Sequence, residues 1–114
     1  MTAIYKILSA DLWQQALAAG EFRGAPVDLA DGFIHFSFAD QVQETAHKHF
    51  FGQKDLVLVT VASEDLGPAL KLEVSRGGAL FPHLYGPLPI TAVCRVAPLP
   101  TRSDGGHDFK DVLS

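Results

Sequence analysis

The 114 residues are enough for one ordinary domain, and a composition with 47% apolar and 19% charged side chains is globular rather than disordered. Nine Lys and Arg residues against thirteen Asp and Glu residues give a net charge of −4, and the sequence contains no basic run. This balance argues against binding of duplex nucleic acid, which needs a patch of Lys and Arg side chains.

The sequence also lacks the marks of secretion and of membrane insertion. No basic region followed by a long apolar stretch stands at its start, and no apolar run is long enough to cross a bilayer. The single cysteine, Cys94, excludes an internal disulfide, and its strand-like apolar surroundings predict a buried side chain. We therefore expect a cytoplasmic, monomeric protein that does not bind membranes.

The early part of the chain predicts a strand, a helix and a second strand. Residues 4–8 are rich in β-favouring side chains, and apolar residues then recur at helical spacing up to Gly20, a natural helix end. Ser9 is a suitable N-cap for that helix. Residues 21–31 predict a connection, and residues 32–38 predict the second strand.

A second helix is predicted over residues 39–51, and strands dominate after it. Residues 56–62 form an almost uninterrupted apolar run, which is typical of a strand covered on both faces. Residues 70–74 alternate between apolar and polar, and residues 90–96 predict the last strand. Because two helices come early and the strands late, the order predicts an α+β fold with small mixed or antiparallel sheets.

Prolines and glycines interrupt the later part of the chain. Two prolines and a glycine make residues 80–88 a loop or an interrupted edge strand. Further prolines and glycines follow residue 97. We predict one domain over residues 1–100 and a loosely ordered tail over residues 101–114, which packs through Phe109.

The predicted second strand carries the first candidate functional residues. Side chains alternate between the faces of a strand, so Phe33, His35 and Ser37 share one face. Ile34 and Phe36 form the opposite face, which is suited to the core. His35 then points to solvent or lines a cleft, where its imidazole could bind a hydroxyl or transfer a proton. The alternative is a structural histidine that is hydrogen-bonded to nearby backbone.

Two later segments add a carboxylate and a stiff aromatic stretch. Glu73 lies on an otherwise apolar strand, three residues before Arg76, and it either holds a ligand or belongs to an exposed face where ion pairs contribute little. Residues 81–88, Phe-Pro-His-Leu-Tyr-Gly-Pro-Leu, place His83 and Tyr85 between two prolines. Such a segment suits contact with a planar ligand, or it closes the edge of the core.

Metal binding is not predicted. His47 and His49 are two residues apart on a predicted helix and therefore point to different faces. The sequence contains no His-Glu-x-x-His, no paired Cys-x-x-Cys, no Asp-rich loop and no glycine-rich phosphate loop.

Three segments together resemble a known family: Ile-Tyr-Lys-Ile at residues 4–7, Gly-Phe-Ile-His-Phe-Ser at residues 32–37, and the stretch at residues 81–88. Over residues 3–98 the chain is similar to the bacterial and plant family called domain of unknown function 952, or DUF952. That family is remotely similar to the ADP-ribosyltransferase-like fold, whose members bind NAD in a cleft between two small sheets. The resemblance implies this split-sheet architecture and NAD as the cofactor.

The resemblance also implies roles for individual residues. The related proteins use a His or Arg on an early strand, a Tyr or Ser later and a Glu late, and here His35, Tyr85 and Glu73 are available, with Glu73 ahead of Tyr85. Glu73 would stabilise the positive charge that builds on the ribose when the nicotinamide bond breaks. Tyr85 would stack on nicotinamide, and His35 would bond a ribose hydroxyl or a phosphate. Further cofactor-binding residues would be Ser37, beside His35, Arg76, at the pyrophosphate, and His83.

Three classes of function remain open from the sequence. The first is an NAD-using transferase or glycohydrolase that acts on a small molecule, a protein or an RNA end. The second is a non-catalytic module that binds a small ligand or nucleotide. The third is a structural or interaction protein that uses residues 80–88 as its contact surface. The first two need an imidazole, a carboxylate and a phenol on one cavity: His35, Glu73, His83 and Tyr85.

Overall fold

Three antiparallel sheets and three α-helices form the part of the chain described by the computed structural model, which is residues 2–113 without the side chain of Arg76. The elements in chain order are β1 (Ala3–Ser9), α1 (Ala10–Ala19), β2 (Glu21–Phe22), α2 (Pro26–Asp31), β3 (Ile34–His35), β4 (Ser37–Phe38), α3 (Val42–His49), β5 (Leu56–Ala62), β6 (Leu70–Val74), β7 (Leu80–Leu84), β8 (Leu88–Pro89) and β9 (Val93–Leu99), with short 3₁₀ turns at Ser63–Ala69, Arg76–Gly78 and Ile90–Ala92. The predicted α+β class with antiparallel sheets is confirmed. None of the described helices has the length and apolar character needed to cross a membrane.

The largest sheet has four strands in the order β4-β1-β5-β9, and every neighbouring pair is antiparallel. Strand β5 has the predicted bounds and lies inside the sheet. Its side chains enter two separate apolar clusters, Val59 and Val61 on one face and Leu56 and Leu58 on the other. Because both faces of the sheet are covered, neither face of this strand is polar, and Thr60 alone interrupts its apolar run.

Different elements cover the two faces of this sheet. One cluster includes Trp13 of α1 and Leu84 of β7. The other includes Val42 of α3, together with Phe109 and Val112 from the C-terminal segment. The C-terminal segment was expected to pack through Phe109, and Val112 contacts the core as well.

A second sheet has three strands in the order β3-β7-β6. Strand β7 is central, so the expectation of a loop or edge strand at these residues is wrong. Pro82 is tolerated because its carbonyl oxygen, which accepts from Phe36 N at 3.0 Å, faces the side of β3. The missing N–H faces the same side, and β3 is too short to need a donor there, since it pairs only with His83 and Leu84.

The expectation of two early helices is also wrong, because α2 occupies a segment predicted as a connection. Pro26 stands in its first turn, and Asp28 Oδ2 accepts a hydrogen bond from Ala25 N at 2.7 Å. Gly32, with a φ of 86°, ends the helix. The helix is only six residues long, too short to show an apolar period. By contrast α1 has the predicted caps, Ser9 and Gly20.

The predicted second strand is in fact two short strands in different sheets. β3 pairs with β7 of the three-stranded sheet, and β4 pairs with β1 of the four-stranded sheet. Phe36 alone separates them, and its backbone N–H is bonded to Pro82 O. The chain therefore passes from one sheet to the other at Phe36, with His35 on one side of the passage and Ser37 on the other.

The last strand begins later than predicted, at Val93, after a turn at Ile90–Ala92. β9 is an edge strand, so one of its backbone edges is unpaired within the sheet. Cys94 lies where the pairing of β9 with β5 shifts register, and its side chain is exposed, which corrects the expectation of a buried thiol. Ala97 and Leu99 carry the buried contacts of this strand.

Candidate functional site

An aromatic cluster forms around the ring of Phe33. Its centroid lies 4.1 Å from that of His83 in a stacked arrangement, 4.6 Å from that of His35 and 5.3 Å from that of Tyr85. His35 and His83 are direct partners in the β3–β7 pair, and their rings meet edge-on with centroids 5.5 Å apart. Side chains from segments far apart in the sequence thus form one cluster.

Glu73 of β6 joins this cluster through hydrogen bonds. Its Oε1 accepts from the Tyr85 hydroxyl at 2.6 Å and from His83 Nδ1 at 2.9 Å. A carboxylate oxygen can only accept, so His83 carries its proton on Nδ1 and its Nε2 can accept a proton. The bond from Tyr85, followed by that from His83, holds the pKa of Glu73 below its usual value. The hydrogen bond between Tyr85 and Glu73 raises the pKa of Tyr85.

A second carboxylate, Asp28 of α2, holds His35. Asp28 is buried, and its Oδ1 accepts from His35 Nδ1 at 2.6 Å, from the His35 backbone N at 3.1 Å and from Lys6 Nζ at 2.9 Å. Burial alone would raise the pKa of Asp28, but the His35 hydrogen bond and the charge of Lys6 outweigh it and lower the pKa to about 2. Asp28 is therefore ionised at neutral pH.

Lys6 and Asp31 complete the surroundings of His35. Lys6 lies within β1 and is buried, which lowers the pKa of its ammonium group against the opposing attraction of Asp28. His35 Nε2 lies 2.9 Å from Asp31 Oδ2, at the end of α2. Because both ring nitrogens of His35 face carboxylate oxygens, both donate and the ring has the hydrogen-bonding pattern of an imidazolium.

A cavity of about 670 Å³ opens beside these residues. Its lining includes residues of both large sheets, among them strands β1 and β7, together with residues of α3. Glu73 and Tyr85 are not part of the lining and are linked to it through His83, so the expectation that all four side chains share one cavity is met only for His35 and His83. The charged or polar residues discussed above that line it are Lys6, Ser9, Asp31, His35, Ser37, His49 and His83.

One of the sequence-predicted residues lies apart from the central cluster. Ser37 is buried in β4, and its hydroxyl lies 2.9 Å from the Thr45 hydroxyl, so its partner is α3 and not His35. The side chain of Arg76 lies outside the described part of the structure, and its backbone follows β6 in a turn. Within the described residues, no group of three or more His, Cys, Asp or Glu side chains is arranged to hold a metal ion.

Lys6, Asp28 and Asp31 were missed by reasoning from the sequence. Lys6 had a visible signal, since it is the only charged residue in an apolar strand. Asp28 had a weaker signal, because Pro26 followed by an acidic residue two positions later is typical of a helix start. Neither signal indicates that the two side chains meet.

The model of a family described as protein of unknown function, DUF952, matches residues 7–96. The chain belongs to this family. Among solved structures, the crystal structure of protein CC0527 from Caulobacter crescentus has 55% sequence identity, covers 96% of each chain and gives a TM-score of 0.94. The solution NMR structure of the same protein has 55% identity, covers 100% of this chain and 98% of that chain, and gives a TM-score of 0.88.

A crystal structure of a double mutant of CC0527 has 54% identity, covers 96% of each chain and gives a TM-score of 0.93. These three structures are structural-genomics targets. A comparison with curated proteins finds no match. The DUF952 resemblance read from the sequence is therefore confirmed, and the family description assigns no activity.

Proposed function

We propose that this DUF952 protein binds NAD in the cavity beside His35 and His83, and that it acts there as a transferase or glycohydrolase on the nicotinamide–ribose bond. The observation that carries the proposal is the position of two imidazoles, each bonded to a carboxylate, on the wall of one cavity. Carboxylate-held histidines at a cavity wall are the usual means of proton transfer.

The His83 side of the cavity supplies a base. Glu73 fixes the proton of His83 on Nδ1 and leaves Nε2 to accept the proton of an attacking water or acceptor hydroxyl. The oxygen of that water or hydroxyl bonds to the anomeric carbon of the ribose, while the bond from this carbon to the nicotinamide nitrogen breaks and its electron pair leaves with the nicotinamide. Glu73 then stabilises the imidazolium formed at His83, and Tyr85 keeps that carboxylate in place.

The shape and charge of the cavity fit a nucleotide. Its volume of about 670 Å³ lies in the usual range for small-molecule sites. Lys6 and His35 bring positive charge for phosphate oxygens. A cavity lined from two small sheets supports an ADP-ribosyltransferase-like architecture, and with it the choice of NAD over other nucleotides.

Two measurements test this function: chemical-shift changes in the protein on titration with NAD, and release of nicotinamide. We expect shifts around His35, His83 and Tyr85 at millimolar NAD and a slow release of nicotinamide, which Glu73→Gln lowers at least tenfold because His83 loses its fixed tautomer. Glu44→Gln, the same chemical change at an exposed position on α3, is the matched control. An unchanged spectrum at millimolar NAD would remove the support for NAD binding.

A non-catalytic nucleotide-binding module is the second candidate, and one observation favours it. Glu73 lies outside the cavity lining, so a ligand can bind without touching it. For such a module, Glu73→Gln binds NAD with unchanged affinity and the wild-type protein releases no nicotinamide. The same pair of measurements therefore separates the two functions.

A further inference from the structure

We propose that His35 and Lys6 form a subsite for a phosphoryl group of the ligand, and that the carboxylate of Asp31 occupies this subsite until the ligand displaces it. The inference deepens the proposed function, and it rests on the proposal that the cavity binds a nucleotide. The ligand group it names is a phosphate or diphosphate oxyanion.

The side chains of His35 and Lys6 meet at one buried oxygen. His35 Nδ1 and Lys6 Nζ contact the same oxygen, Oδ1 of Asp28, at 2.6 and 2.9 Å. Both residues also line the cavity. Asp28 carries one negative charge, so the Lys6 ammonium together with a protonated His35 ring calls for a second anion. Asp31 provides it in this structure through its contact with His35 Nε2.

The two carboxylates differ in how firmly they are held. Asp28 is 1% exposed and accepts hydrogen bonds on both oxygens, including one from Ala25 N. Asp31 is 49% exposed, stands at the last position of α2 and has His35 as its side-chain partner. Exposed ion pairs of this kind contribute little, whereas a phosphoryl group brings more charge and more acceptor atoms to the same donors. Asp31 is thus the displaceable partner.

A phosphoryl group that displaces Asp31 can also make more contacts than the Asp31 carboxylate does. Once Asp31 moves away, His35 Nε2–H loses that partner, and His35 and Lys6 both line the cavity. A phosphoryl group has several oxygens and can accept from both donors at once. The Asp31 carboxylate, at the end of a short helix, is tethered, and among the described side chains its hydrogen-bond partner is His35.

Calorimetric titration with inorganic phosphate and diphosphate tests the subsite, with Asp31→Ala as the main variant. We expect about three- to fivefold tighter binding of both probes to Asp31→Ala than to the wild type, because no internal carboxylate competes. Asp65→Ala is the control, since it removes the same charge from an exposed position outside the cavity. In His35→Gln we expect binding at least tenfold weaker than in the wild type.

The NMR chemical shifts of the protons and nitrogens of the His35 ring give a second readout. Diphosphate is expected to shift the Nε2 signal of His35 in the wild type, and Asp31→Ala is expected to show a shifted signal before any addition. Equal affinities in the wild type and Asp31→Ala, or an equal gain in Asp65→Ala, would overturn the subsite. Tighter diphosphate binding to Asp31→Ala without any response to NAD would keep the subsite and remove NAD as the ligand.

Discussion

The two histidines of the cavity are each bonded to a carboxylate, but one carboxylate is buried and the other is partly exposed. In the first pair the Asp28 side chain is 1% exposed and the His35 ring 31%. In the second pair the Glu73 side chain is 38% exposed and the His83 ring 6%. A buried carboxylate must keep all its hydrogen bonds or destabilise the fold, whereas an exposed one can exchange them for water. A change at Asp28 is therefore expected to affect both the stability of the fold and the cavity, whereas a change at Glu73 can affect the cavity with little effect on stability.

The largest effect is expected from Asp28→Asn. This change leaves the buried Lys6 ammonium without a counter-charge and weakens the bond to His35, so we expect a loss of about 3–5 kcal/mol in the free energy of unfolding. Urea denaturation measures it as a lower midpoint at constant m value. Asp31→Asn makes the same change at an exposed position and should cost less than about 1 kcal/mol. Equal losses in the two variants would contradict the comparison.

The second effect is a dependence of stability on acid pH. The pKa of Asp28 is about 2 in the folded protein, against an ordinary value of 3.8, so the unfolded chain binds its proton first. The resulting stabilisation, about 2 kcal/mol, is present above pH 3.8 and is lost as the pH falls towards 2. Unfolding free energies measured between about pH 5 and pH 2 should decline more steeply in the wild type than in Asp28→Asn. Parallel curves would show that another group is responsible.

The smallest effect on stability is expected from Glu73→Gln, because this side chain is partly exposed and its hydrogen bonds can be replaced by bonds to water. Its electrostatic effect is nevertheless measurable, since the bond to the ionised Glu73 raises the pKa of Tyr85. In Glu73→Gln the pKa of Tyr85 should fall towards its ordinary value. Tyrosinate absorbance during a pH titration measures it, and Tyr85→Phe identifies the signal against Tyr5. An unchanged Tyr85 titration would argue against this hydrogen bond in solution.

The sequence predicted the elements whose pattern is local. β5 and β6 have the expected bounds, because one is apolar on both faces and the other alternates. α1 has the expected caps because Ser9 and Gly20 act within their own turns. The grouping of His35 with His83 was anticipated from the unusual side chains of two segments, and the structure places the two residues opposite each other.

The features that the sequence did not predict depend on contacts between distant residues. β7 is a central strand only because β3 and β6 pair with its two edges, and its proline argued against that position. The Lys6–Asp28 pair joins residues 22 positions apart, and each of them has an ordinary local role. Periodicity identifies the face on which a side chain lies, but not the partner that it meets there.

The single-residue passage at Phe36 has a mechanical consequence for the cavity. Since one buried residue links the two sheets and its N–H is bonded to Pro82 O, the two sheets are joined here without a flexible linker. We therefore expect the opening to be formed before a molecule enters. A rigid, preshaped opening lowers the entropic cost of association, and it also restricts the guests to those whose thickness matches the gap.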